Sequence, residues 1–335
     1  MKELDFPPVV MGIDGYCPVI AKPRMLDQRT SYEIIWQPKE NDTSYKGSYT
    51  DAKIVRDPAN KGRWVGLVTR TRVKPHLILI DYESRTTVWN ESGNLLDSLK
   101  GGVHSATMLP DGNLVVCVPY DHDHTTDNLV YIDRATGKAT HYDFMDAHSA
   151  FWRLEGAGTG YLWVCGRDIP QHSSDASEGK CLLRQYRLGF PGELPLMEVA
   201  TYVLVDHPDA LDYMQQPGWW EGPHDIGHNH STLWISTESR VVEFDLSSKT
   251  VTPSPISHKY FQSEKEKHPP YDSPTNLKSV DINDAGDIVY LQTMGDKSSA
   301  SNFFLVSAAH KKYTFDINEG AKTAYKARWV PHDLL

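Results

Sequence analysis

Three histidines stand in nearly the same four-residue setting: Val103-His-Ser-Ala106, Ala147-His-Ser-Ala150 and Pro223-His-Asp-Ile226. A fourth copy, Leu277-Lys-Ser-Val280, places Lys278 where the others have His104, His148 and His224. Imidazole titrates near ~6.5 and can take or give a proton at neutral pH. Lysine and arginine can hold a carboxylate. This set suits proton transfer on an anionic substrate. His104 is the first choice for acid–base work, with His148 and His224 as further catalytic candidates. Lys278, Arg328 and Arg167 are candidates for the substrate carboxylate, and Trp152 and Tyr120 for stacking on a sugar face. Plainer roles compete with these. A histidine at a strand start can simply satisfy backbone groups. Lys278 and Arg328 can close ion pairs with Asp281 or Asp225. Neutral imidazoles also suit a divalent cation, so His104, His148 and His224 could share Ca or Mn. Asp121-His-Asp-His124 spells metal ligands but reads better as a solvated loop.

Each motif opens a strand. The clearest case is a hairpin with strands over 105–109 and 114–118 and the turn Pro110-Asp-Gly-Asn113, whose Asp-Gly supplies the positive φ of a tight turn. Arg134-Ala-Thr-Gly137 and Asp284-Ala-Gly-Asp287 are similar turns. Strand starts at Asp51 or Lys53, His104, His148, His224, Lys278 and Arg328 follow one another at 44 to 76 residues, a spacing for four-stranded repeats. The N-terminal unit shows three strands, and a single strand over 324–330 ends the chain. Pairing these two remnants closes a ring and removes the exposed edges of an open array. The predicted fold is all-β: residues 1–335 as one closed β-propeller of six four-stranded blades. Seven would follow if 206–221 or 14–50 hid another. The strand starts then converge on one mouth, under long loops at 120–128, 168–180, 206–221 and 258–276. Arg70, Arg72, Arg167, Glu238 and Arg240 would form its rim, with Tyr213, Trp219 and Trp220 nearby.

A net charge of −10 without a basic run excludes nucleic acid and anionic membrane surfaces as partners. No apolar run reaches the length of a membrane span. An oligo- or polysaccharide is the expected partner, and the protein is expected to be a monomer. No signal peptide precedes Lys2, which fits a cytoplasmic protein or a mature secreted one. Sequons at Asn41, Asn90 and Asn229 tilt the expectation toward secretion. Cys17, Cys117, Cys165 and Cys181 lack metal-ligand spacing. Cys117 and Cys165 fall on apolar strands, and a Cys165–Cys181 bridge stays open.

The repeated His-Ser-Ala, the Leu-Pro-Asp-Gly-Asn-Leu-Val-Val hairpin, Gly-Pro-His-Asp-Ile and Leu-Lys-Ser-Val resemble single-domain propellers, over roughly residues 51 to 330. Some of that group resemble polysaccharide lyases of the rhamnose-α-1,4-glucuronate type, acting on arabinogalactan. Oligogalacturonate lyases, often metal-dependent, are a more distant comparison. The resemblance implies β-elimination on a uronate glycan. Its carboxylate is neutralised, a base takes the C5 proton, and an acid protonates the departing O4. Only His104, His148, His224 and Lys278 fall on motif positions. Glycoside hydrolysis would want two carboxylic acids about 5 to 10 Å apart, and the strand starts offer only Asp51. A non-catalytic glycan- or protein-binding propeller is the alternative.

Overall fold

A computed structural model describes residues 6–26, 29–39, 47–71, 75–91, 95–96, 102–118, 129–144, 146–155, 159–168, 180–205, 222–237, 241–254, 276–293, 300–317 and 322–334. The described strands form six antiparallel sheets of four. The first takes β1 (Val9–Ile13), β2 (Pro18–Leu26) and β3 (Arg29–Trp36) from the start of the chain. The second is β4 (Ser48–Asp57), β5 (Arg63–Thr71), β6 (Leu77–Asp81) and β7 (Thr87–Asn90). The third is β8 (Ser105–Met108), β9 (Leu114–Cys117), β10 (Leu129–Asp133) and β11 (Lys138–Tyr142). The fourth is β12 (Asp146–Glu155), β13 (Thr159–Asp168), β14 (Lys180–Leu188) and β15 (Leu196–Val205). The fifth is β16 (Pro223–His228), β17 (Thr232–Thr237), β18 (Val241–Asp245) and β19 (Val251–Pro253). The sixth is β20 (Asn276–Ile282), β21 (Ile288–Thr293), β22 (Asn302–Val306) and β23 (Lys312–Asp316). β24 (Ala324–Trp329) then returns to the first sheet and pairs with β1, Val9 opposite Trp329. The inner strands β24, β4, β8, β12, β16 and β20 touch one another in a closed cycle. This is the six-bladed propeller, closed by both termini.

Local chemistry explains the repeat. At Leu109–Asn113, Gly112 has φ of 84° and the Asp111 carboxylate accepts the Asn113 amide at 3.0 Å, so the Asp-Gly pair makes the turn that the sequence spells. Another turn recurs between third and fourth strands. Asp81, Asp133 and Asp245 each accept the amide three residues on, from Ser84, Thr136 and Ser248. Arg85, Gly137 and Lys249 follow at positive φ. The apolar cores lie between adjacent sheets: Leu67, Val116 and Ile132 join the second and third, and Trp163, Ile235 and Phe244 the fourth and fifth. The channel is thus left to polar side chains.

All four cysteines are buried free thiols, so Cys165 and Cys181 are not bridged. Burial pushes the Cys117 thiol up to about 12, which makes it inert packing. Among the described residues, no helix is long and apolar enough to cross a membrane.

Candidate functional site

The inner strands share an irregularity that aims the site. In β4, β12, β16, β20 and β24 the pairing to the next strand slips by one residue, so two residues oppose one. In β8 the His104 amide donates to the Cys117 carbonyl, which Ser105 already opposes. A bulge turns two successive side chains to the same side. Two stacked rings of residues therefore face the channel. The upper ring is Thr50, His104, His148, His224, Lys278 and Tyr325. The one beneath is Asp51, Ser105, Ser149, Asp225, Ser279 and Lys326.

The upper ring brings together four of the residues singled out above. The His104 and His148 rings lie 5.0 Å apart, His148 and His224 5.5 Å, and His104 and Tyr325 5.5 Å. Lys278 Nζ is 3.2 Å from His224 Nε2 and 5.6 Å from the centre of the Tyr325 ring. Thr50 turns aside, its hydroxyl bonded to the Val103 carbonyl and to Thr69. Tyr325 was missed from sequence. Its signal is Ala324-Tyr-Lys-Ala327, an apolar–polar–polar–apolar string matching Val103-His-Ser-Ala106, as does Tyr49-Thr-Asp-Ala52.

His148 differs from its neighbours. Its Nδ1 lies 3.2 Å from the Asp146 carbonyl and 3.3 Å from Asp146 Oδ1. Asp146 in turn accepts from Arg167 Nε at 2.7 Å. Donation from Nδ1 to Asp146 leaves Nε2 as the acceptor, the arrangement of an oriented base. Burial would raise the Asp146 carboxyl, but His148 and Arg167 outweigh it and hold it below the usual range. Burial also lowers His148, against the pull of Asp146. His104 and His224 are driven further down, by burial and then by the neighbouring His148 and Lys278 respectively. The three imidazoles are therefore neutral at neutral pH. Among the described residues, His104 Nδ1 is buried without a hydrogen-bond partner.

Below the mouth the channel is plugged by ion pairs. Arg328 Nε and Nη2 bind Asp51 at 3.0 and 3.1 Å, Nη2 also binds Asp225, and Nη1 donates to the Ile226 carbonyl at 3.1 Å. Lys53 Nζ donates to Ser105 Oγ and to the carbonyls of Ala106 and Ala150 at 2.8 to 3.0 Å. Lys326 lies 3.4 Å from Asp225. Burial would raise Asp51, but Arg328, Lys53 and Lys326 hold it far below the carboxylate range. Burial lowers Lys53 to about 8 against the pull of Asp51. The plug charges are paired, and Lys278 in the upper ring is the cation that favours an anionic group at the mouth.

Several expectations need correction. Arg328 sits three residues beyond Tyr325, in the plug, and its donors are spent on Asp51, Asp225 and Ile226. Arg167 is buried behind Asp146 rather than at the rim. Neither is placed to hold a substrate carboxylate. Trp152 lies four residues past His148 along β12 and lines a cavity of about 630 Å³ at the other end of the channel. The sharing of one Ca or Mn ion by His104, His148 and His224 finds no support. Among the described residues, no three His, Cys, Asp or Glu side chains are grouped to hold a metal. The Lys278 ammonium beside His224 also opposes a cation there. Tyr120, Arg72, Tyr213, Trp219, Trp220, Glu238, Arg240 and the 121–124 motif lie outside the described residues.

No protein-family model matches the chain, and no curated protein does. Similar solved structures include an auxiliary nutrient-binding protein from Bacteroides ovatus, at 13% identity and TM-score 0.46, covering 92% of this chain and 64% of that one. The extracellular domain of a one-component system from B. thetaiotaomicron matches at 9% identity and TM-score 0.45, over 93% of this chain and 34% of that one. The calcium-binding regucalcin from Agrobacterium tumefaciens matches at 13% identity and TM-score 0.44, over 87% of both chains. The chain thus spans about two thirds of the first and about a third of the second. These likenesses are too distant to assign a role to the chain.

Proposed function

We propose that the histidine mouth is a proton-transfer site for an anionic sugar ring, and that its reaction is β-elimination on a uronate-containing glycan. The observation that carries this reading is the Asp146–His148 pair in one ring with Lys278 and Tyr325, with His104 and His224 on either side of His148, at the bulges of the inner strands. Lys278 neutralises the C6 carboxylate, which acidifies the C5 proton. His148 Nε2 takes that proton. The C5–H pair becomes the C4–C5 double bond as the C4–O4 bond breaks, and the Tyr325 hydroxyl protonates the departing oxygen. His104 and His224 complete the wall and exclude water. A hydrolase reading fits less well: Asp51 and Asp225 are tied to cations in the plug, and Asp146 sits behind His148 with Arg167. Terminal rhamnosyl-glucuronate is the substrate that the sequence motifs favour, and secretion belongs to the same proposal.

The test is a panel of 4-linked uronate oligosaccharides, followed by the ultraviolet absorbance of the new C4–C5 double bond. Unsaturated product is expected from at least one of them, with His148→Ala slowed by roughly 10²-fold or more. Saturable binding without product would assign the same mouth to anionic-glycan recognition alone. Neither product nor binding across the panel would overturn the proposal.

A further inference from the structure

The turn-side end of the channel holds a cavity of about 630 Å³, separated from the histidine mouth by the Arg328–Asp51–Lys53 plug. Its walls are mainly apolar and aromatic. The Phe151 and His228 rings stack at 4.0 Å, Trp152 covers Gly160, and Trp64 and Trp329 also line it. A Cβ at Gly160 would lie 2.1 Å from the Trp152 ring, so the ring sits where it does because residue 160 has no side chain.

The charges around this cavity are answered within the protein. Arg56 pairs with Asp333 at 3.3 Å and lies over Trp64. Arg153 donates to the Asn229 and His230 carbonyls. Arg328 and Lys53 belong to the plug. Asp281 feels the Arg328 charge, but its hydrogen bonds come from backbone amides. It accepts backbone N–H groups from Ile282 and Trp329 at 3.0 Å and from His228 at 3.4 Å, and it lines the cavity. A carboxylate has about four acceptor positions, so one remains for a ligand.

We propose that this cavity is a second binding site, for a flat, neutral, largely apolar ring carrying one hydrogen-bond donor, such as an indole or a phenol. The ring stacks among Trp152, Trp64 and Phe151, and its donor meets Asp281. A hydroxyl-rich sugar would need more polar partners than the walls offer, and a charged ligand would meet a balanced field. The inference stands independently of the reaction assigned to the other mouth.

Titration calorimetry with indole, and with benzofuran as the same bicycle lacking the N–H, tests it. One saturable indole site per chain is expected. Benzofuran should bind at least about tenfold more weakly, the scale of one hydrogen bond to a charged acceptor. Trp152→Ala should weaken indole by about tenfold, and His148→Ala, at the other mouth, should leave it unchanged. No saturable heat with indole, equal affinity for both bicycles, or indifference to Trp152→Ala would each overturn the proposal.

Discussion

Asp146 separates His148 from the two imidazoles beside it. It fixes which nitrogen of His148 faces the channel and pulls the ring's pKa upward against burial. Asp146→Asn keeps the shape and removes that pull. Turnover of uronate substrate should fall by roughly 10²-fold or more. The acid limb of kcat/KM against pH should also move to lower pH, because the lost carboxylate was raising the value; a merely structural Asp146 would leave the limb in place. Stability should depend on pH through the same residues. The three histidines have folded pKa values below the ordinary value, so the unfolded chain takes up protons first as pH falls through about 6.5. Their contribution is complete above that pH and is lost on acidification. Asp281 runs the other way: burial raises it to about 6, so the folded state takes up its proton first and gains stability as pH falls through 6. The melting temperature should drop between pH 7 and 5, and Asp281→Asn should drop more steeply, since the opposing group is gone. A flatter curve for that variant would refute the assignment. The histidines were legible because their motif repeats in sequence. The Asp146 pairing was not, since nothing in Asp146-Ala-His148 says that a bulge folds the carboxylate back onto the ring.

Bulges also explain what the sequence reading misplaced among the strands. Regular alternation aims every second residue at the channel, and no residue type marks where two successive ones turn inward. Alternation alone therefore puts Arg328 in the place equivalent to His104, whereas Tyr325 holds that place and Arg328 falls in the plug with Lys53. The hairpins, by contrast, were readable from Asp-Gly and the Asp-initiated turns, whose side chains satisfy the turn amides. Two substitutions test how tightly the inner strands are set. A Cβ on Gly227 would lie 2.3 Å from the Val280 carbonyl oxygen of the next blade. Gly227→Ala should cost about 1 to 3 kcal/mol, measured by denaturant unfolding, because backbone rather than a flexible side chain must move. Lys53→Met removes the ammonium that links β4 to β8 and β12. It should cost about 3 to 5 kcal/mol, since three buried acceptors and Asp51 lose a partner together. A loss under about 1 kcal/mol would mean that the plug is replaceable by packing alone.

At the scale of the molecule, ring closure and the channel depend on one strand. β24 supplies Tyr325 to the mouth, Lys326 and Arg328 to the plug, and the Trp329 amide to Asp281, besides its ladder with β1. Arg328 alone reaches β4 and β16, so β24 ties strands from both halves of the ring. Deleting 324–335 should therefore do more than remove an edge strand. It leaves Asp51 and Asp225 buried without Arg328, opens β1 as an edge, and exposes the core built on Val9, Met11 and Phe303. Losing the cooperative melt is the expected result, followed by far-ultraviolet circular dichroism. A shorter deletion, 331–335, is the control. It removes the Asp333–Arg56 surface pair and the partly buried Leu334, and should cost only about 1 kcal/mol. If the two truncations melted alike, near the full-length protein, closure by β24 would contribute nothing and the ring would be held by its other five blades. If only the longer one failed, the single C-terminal strand is what makes a row of sheets into a closed channel with two separate mouths.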